Sequence, residues 1–264
     1  HAAHLRREGE EGNHVLPGAS PGLYDRRIFG SPLALGKFLE RLSSSFVRIE
    51  ELLRDFDRVV TSNRIFVDRF RNTGMLPLSK LIDYGVTGPL LRAAGVPLDL
   101  RKAEPYLVYE EIDFDVPVGT TGDNYDRFLV CQEELVQSMR IVRQCVPVIE
   151  KTAGEPLNVA DPRIRWPAKE RVFGRMEELI QQFKGVTEGI RVPAGEAYAA
   201  IESPNGELGF YIVSDGTGKP YKVRCRPPSF ANVAPMRHML VGGMLADIVP
   251  TFDMINMIGG ECDR

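Results

Sequence analysis

Over 32–60, 123–150 and 167–184 the apolar residues of this chain fall three and four positions apart; beyond Pro193 they gather into short runs split by turn residues. That change of period limits the fold more than any other feature, because a helix buries one stripe and a strand buries alternate residues. Ser31-Pro32 opens the first stretch with a capping side chain followed by proline at the first helical position. Leu35, Phe38, Leu39, Leu42, Phe46, Ile49, Leu52, Leu53 and Phe56 then predict a helix near 32–60. Gly119-Thr-Thr-Gly122-Asp123 marks a turn before a second helix near 123–150, striped by Tyr125, Phe128, Leu129, Met139 and Val142. A third, near 167–184, carries Val172, Phe173, Met176, Leu179, Ile180 and Phe183 on one face. The plain use of such stripes is helix-on-helix core.

Between 62 and 110, Gly74, Pro77, Gly85, Gly88-Pro89, Gly95 and Pro97 break the chain into short helical pieces. After Pro193, three runs read as strands: Ala197–Glu202, Gly209–Val213 and Tyr221–Arg226. Pro204-Asn205-Gly206 and Asp215-Gly216-Thr217-Gly218 between them are hairpin turns. The expectation is an α+β fold with a mainly helical core, closed by a three-stranded antiparallel meander and a mixed helical segment from 230 onward. The predicted organisation is an irregular arm over 1–30, a helical core over 31–192, and a meander with a C-terminal segment over 193–264.

Composition excludes several classes. The chain has 264 residues, 43% hydrophobic and 26% charged, enough for one large or two ordinary domains. A net charge of −3 gives no nucleic-acid footprint. No apolar run approaches the roughly 20 residues of a membrane span. The four cysteines, Cys131, Cys145, Cys225 and Cys262, contain no Cys-x-x-Cys pair and suit a reducing compartment. The histidines His1, His4, His14 and His238 lack the spacing of a zinc site. The polar start holds acidic residues and no apolar core, which fits neither a secretory signal nor an intact transit peptide; it reads as a processed end or a truncation.

Judged from its residues alone, the chain carries no catalytic signature. Gly216-Thr-Gly218-Lys219 lies between strands and opens no helix, so it reads as a hairpin turn. Glu110-Glu111 and Asp113-x-Asp115 could form a paired carboxylate site, but a solvated rim is the simpler reading.

Several longer motifs are more specific. They are Gly88-Pro-x-Leu-Arg92; Arg101-Lys-x-x-Pro-Tyr106-x-x-Tyr109; Phe114-Asp-Val-Pro-Val-Gly119; Gly122-Asp-x-Tyr125-Asp-Arg-Phe-Leu129; Gln137-Ser-Met-Arg140; and Gly206-Glu-Leu-Gly209-x-Tyr211. The tail adds Ser229-Phe-Ala-Asn, Leu245-Ala-Asp and the closing Gly260-Glu-Cys-Asp-Arg264. Together, spread over nearly the whole chain, they resemble the 49-kDa (D) subunit of respiratory complex I, the NADH:quinone oxidoreductase. That family is similar in fold to the large subunit of nickel–iron hydrogenases, whose metal-binding Cys-x-x-Cys pairs this chain lacks.

The resemblance implies a share in the chamber where electrons from NADH reduce ubiquinone, coupled to proton pumping. It expects no cofactor on this chain, a 4Fe-4S cluster in the adjoining small subunit, and ubiquinone as the substrate of the complex. Expected partners are that cluster-bearing subunit, the 30-kDa-type and other peripheral-arm subunits, and the membrane arm through them. Nucleic acid is not among them. His1 of the opening His-Ala-Ala-His matches a family histidine beside the terminal cluster, and Ile258 and Asn256 match positions lining the quinone cavity. Asn256 stands where the family has Asp, exchanging a charge for a neutral hydrogen-bonding amide. The opening motif lies well inside the family subunit, so a separate chain carrying the N-terminal half is expected, with a truncation as the alternative. The implied location is the matrix side of the mitochondrial inner membrane. Two other readings stay open: a ferredoxin- or hydrogenase-type membrane complex, and a structural module with no share in quinone contact.

Overall fold

A computed structural model describes residues 32–151, 161 and 165–263. The arm expected over 1–30, and His1 with it, lies outside them.

The first expected helix is α1, Pro32–Phe56, and it runs on into a π-helical turn over Asp57–Thr61. A π turn adds a residue to the ring and re-aims the chain beyond it. Here it turns Thr61 inward, where its hydroxyl reaches Gln132 Oε1 at 3.4 Å and its carbonyl accepts from Tyr125 Oη at 3.1 Å. Asn63 caps α2, Arg64–Phe70, by accepting from Ile65 N. Phe66 on this helix stacks with Phe70 at 4.0 Å and meets Phe128 edge-on at 4.8 Å. Three short helices come next: α3, Leu78–Asp83; α4, Pro89–Ala93; and α5, Leu100–Ala103. The second expected helix is α6, Asn124–Lys151.

The third expected helix is divided. It forms α7, Lys169–Gly174, and α8, Met176–Thr187, with Arg175 between them in extended conformation (φ −137°, ψ 129°). Glycine is a poor helix former, and Gly174 sits at the break. The core expected from this stripe is not there either: Phe173, Met176, Leu179, Ile180 and Phe183 are exposed, while Val172 is buried.

The meander is present as β1, Gly195–Ser203, β2, Gly206–Ser214, and β3, Lys222–Arg226, ordered β1-β2-β3 in one antiparallel sheet. The final segment is a string of short helices: α9, Pro228–Val233; α10, Met236–Leu240; a 3₁₀ turn over Leu245–Asp247; α11, Ile248–Ile255; and α12, Gly259–Cys262. No helix among the described residues is long and apolar enough to cross a membrane.

Contacts divide the chain into two units, neither continuous in sequence. Among the described residues, one draws on 32–41, on 148–151, 161 and 165–197, and on Ile212–Val223. In it, Trp166 packs beside Gly185, and the Gly189 backbone lies too close to Gly218 to admit a side chain. The other draws on Leu42–Pro147, Tyr198–Tyr211 and Arg224–Arg264. Its core joins Leu76, Leu81, Val86, Leu90 and Leu91 to Met239 and Ile255 of the C-terminal segment. Each such side chain contributes roughly 1.5–3 kcal/mol on burial. A second cluster, Ile112, Phe114 and Ile141, pins the 112–116 segment to α6.

Candidate functional site

The last residues of α11 and those beyond it belong to the second unit and rest on a polar frame. Asn256 ends α11 in the left-handed region (φ 53°, ψ 48°), a conformation that asparagine tolerates better than most residues. Its Nδ2 donates to Asn205 Oδ1 at 2.7 Å. Two residues on, the amide of Ile258 donates to Ser229 Oγ at 3.2 Å, and Ser229 N donates to Glu261 Oε2 at 3.0 Å. Asn205 and Ser229 are buried, at 3% and 0% exposure, whereas Ile258 is 49% exposed. The polar side of the segment is therefore tied inward and its apolar side chain is presented outward.

The frame is itself anchored. Asn232 Nδ2 donates to the Asn205 carbonyl at 2.8 Å, and Asn232 Oδ1 accepts from Thr87 N at 3.3 Å. Thr87 Oγ1 accepts from Glu207 N at 3.0 Å. Arg226 donates to the carbonyls of Glu207 and Gly85 at 2.6 and 2.7 Å. Where the two loops meet, Gly88 and Gly206 both have positive φ, and a Cβ on Gly88 would lie 2.5 Å from the Asn205 carbonyl oxygen. Only glycine admits this approach. The hairpin turn at 204–206 is thus wedged between the start of α4 and α9.

Below the hairpin lies a buried ionic cluster. Arg92, 1% exposed, pairs with Glu134 at 2.6 Å and Glu202 at 2.7 Å, and donates to the Leu98 carbonyl at 2.9 Å. Glu202 Oε2 also accepts from Leu100 N at 3.2 Å, and Glu202 N donates to Tyr106 Oη at the same distance. Arg101 closes on Asp99 at 2.6 Å. Burial opposes charge on Arg92, but the carboxylates of Glu134 and Glu202 overcome it and hold the guanidinium protonated. Burial pushes the Glu134 carboxyl up, against the pull of Arg92.

Arg127 is buried without a carboxylate in its hydrogen-bond shell. It donates to Asn124 Oδ1, the Gly74 carbonyl and the Gly122 carbonyl at 2.9, 2.6 and 3.0 Å. Burial brings it down to about 10, with Asp123 pulling the other way. Asn124 reaches on to Thr251 Oγ1 at 3.0 Å, and Arg69 pairs with Asp247 at 3.1 Å, so the C-terminal segment is also tied to the start of α6 and to α2.

The family model for the respiratory-chain NADH dehydrogenase 49 Kd subunit matches residues 34–264. This chain belongs to that family. It is 51% identical over 227 residues to a D subunit of the NADH-quinone oxidoreductase of an Anaeromyxobacter species, covering 86% of this chain and 52% of that protein. Identity to the corresponding D subunit of Myxococcus xanthus is 54% over 213 residues, 81% of this chain and 51% of the other. With the D subunit of an Acidovorax species it is 44% over 229 residues, 87% and 55%. The chain spans about half the length of the curated relatives it matches.

The motifs that resemble the 49 Kd subunit are largely its scaffold. Gly88 and Arg92 supply the close loop approach and the buried cation. Gln137, Arg140 and Gln144 clip the 113–115 backbone and carboxylates to α6: Asp115 N donates to Gln137 Oε1 at 3.0 Å, Asp113 N to Gln144 Oε1 at 2.9 Å, and Arg140 bridges Asp113 and Asp115. The two aspartates are exposed partners of one arginine, as a solvated rim requires. Among the described residues no cluster of His, Cys, Asp or Glu could hold a metal ion.

Of the residues expected at the site, Asn256 and Ile258 stand together on the frame, and His1 lies outside the described residues. Sequence reasoning missed Asn205 as more than a turn residue, and passed over Ser229 and Asn232 within Ser-Phe-Ala-Asn. The available signal was that serine and asparagine beside Pro227-Pro228 have backbone partners to satisfy when buried.

Proposed function

We propose that this chain forms one wall of a quinone-reduction chamber in a proton-translocating NADH:quinone oxidoreductase, acting only within the assembled complex. The observation that carries the reading is the family match through residue 264 together with the geometry of the tail: a hydrogen-bonded segment that presents Ile258 outward. A quinone ring needs an apolar wall to bind against and fixed polar groups to orient it. Ile258 supplies the first, and the frame behind it holds the segment still.

Reduction of the quinone to quinol takes two electrons and two protons. The electrons originate on NADH and arrive through an iron–sulfur cluster of the adjoining subunit, so this chain contributes shape, water exclusion and fixed dipoles. His1 is proposed beside that cluster, as a group whose protonation follows cluster reduction. The membrane is the mitochondrial inner membrane, with this chain on its matrix face.

Two experiments test this. Mass spectrometry of a native-gel band should find the chain with NADH-oxidising, cluster-bearing and 30-kDa-type subunits. Migration without them sinks the assignment. Ile258→Trp in the assembled complex should raise the KM for a short-chain ubiquinone and the IC50 of quinone-site inhibitors. Unchanged values would favour a purely structural module.

A further inference from the structure

We infer that Ser229 and Asn205 are positioning residues for the cavity segment, setting where Ile258 stands through the backbone they hold; this rests on the quinone-wall reading. The segment has little else to locate it. Asn256, Ile258, Gly259 and Gly260 are exposed, and only Ile255 and Met257 at its start pack into the core. Apolar burial therefore reaches as far as Met257 but does not place the exposed side chains of Asn256, Ile258 and the residues after them. Those are placed by the three polar contacts to Asn205 and Ser229.

Ser229 Oγ stands at the centre, accepting from Ile258 N at 3.2 Å and from Asn205 Nδ2 at 3.5 Å. Behind these two side chains the Gly88 and Gly206 backbones approach too closely to admit a side chain on either. The β1–β2 hairpin turn is thus the ruler against which the tail is set. Removing the Ser229 hydroxyl deletes the link from Ile258 to that ruler, leaving only the Asn256–Asn205 contact, and does not touch Leu81, Leu90, Leu91 or Ile255. A displacement of about 1 Å in a substrate-contacting wall is enough to change reactivity strongly.

The test uses the assembled complex carrying Ser229→Ala, Asn205→Ala, Ser229→Thr or Ile258→Trp. The readings are NADH-driven reduction of a short-chain ubiquinone, inhibitor IC50, and NADH oxidation by ferricyanide as the measure of electron input and assembly. Ser229→Ala and Asn205→Ala should each raise the quinone KM about fivefold, the equivalent of the one hydrogen bond to the tail that each removes. Ferricyanide activity should stay at the wild-type level, and Ser229→Thr, which keeps the hydroxyl, should restore the KM. If Ile258→Trp shifts the KM while Ser229→Ala and Asn205→Ala do not, positioning fails and the quinone wall stands. If Ile258→Trp is silent, the wall and the positioning role fall together. If the two alanine variants lose ferricyanide activity while the complex that still assembles keeps its KM, their role is structural and the inference is overturned.

Discussion

Arg92 and Glu202 stand 110 positions apart in sequence and meet at 2.7 Å, joining the helix at 89–93 to the end of the first strand. Both side chains are buried, so losing Arg92 strands Glu202, whereas losing Glu202 still leaves Arg92 its partner Glu134. Replacing Arg92 with Leu leaves Glu134 and Glu202 without their cation, at a cost of about 3–5 kcal/mol. Arg92→Lys keeps the charge but not the planar fork that serves two carboxylates, and should cost less. Thermal shift of the purified assembly should rank the variants wild type, Lys, Leu in falling order; equal melting of all three would show that the cluster carries no stability.

The loop approach at Gly88 gives a second test. Alanine there needs a strained positive φ (now 73°) and a Cβ 2.5 Å from the Asn205 carbonyl oxygen. Strain alone costs on the order of 1–3 kcal/mol, and the clash adds to it. Gly85→Ala has a similar φ of 67° but meets nothing within 4 Å. The Gly88 variant should therefore assemble far less well than the Gly85 variant, read as complex abundance on native gels. Equal abundance would argue against a rigid hairpin seat.

Asn256 combines two roles that substitution can separate. Glycine accepts the left-handed backbone but lacks the amide; alanine lacks the amide and resists the backbone. Asn256→Ala should destabilise by roughly 1 kcal/mol more than Asn256→Gly. Both should weaken quinone binding, because both release the tail from Asn205. Equal melting temperatures for the two variants would mean that the backbone conformation at 256 is unimportant.

Asp126 predicts a pH dependence. Burial would raise its carboxyl, but the amides of Thr121 and Thr120, at 2.6 and 2.7 Å, and the Thr121 hydroxyl outweigh it and hold it below the usual carboxylate range. A carboxyl lowered in the folded state adds stability that is present above its unfolded value, near 3.9, and lost as pH falls through the folded one. Asp126→Asn should therefore melt below wild type at neutral pH, with the gap closing as the buffer is taken into the acid range. A gap independent of pH would assign the effect to geometry and not to charge.

Regular elements were legible in the sequence where local signals agreed. Ser31-Pro32 and the stripe behind it predict α1, Gly122-Asp123 predicts the start of α6, and the turn residues predict all three strands. The division at Arg175 was not legible, since the apolar spacing runs through it unchanged and only Gly174 hints at a break. Nor does periodicity say what a stripe is buried against: Phe173 and Phe183 have the spacing of core residues and are exposed. At the candidate site, Asn256 and Ile258 came from resemblance alone. Asn205, Ser229 and Asn232 escaped because their importance lies in contacts 24 to 145 positions away, which no local pattern encodes.

The most direct test of the quinone wall needs no substitution. Residues His238 to Arg264 contain no lysine or arginine before the last position and follow Arg237, so trypsin releases them as one peptide. The assembled complex would be photolysed with an azido-ubiquinone, digested and mapped by mass spectrometry. The account predicts label on this peptide, centred on Ile258 and its neighbours and suppressed by excess unlabelled ubiquinone. Specific label confined to other subunits, with this peptide unmodified, would contradict it.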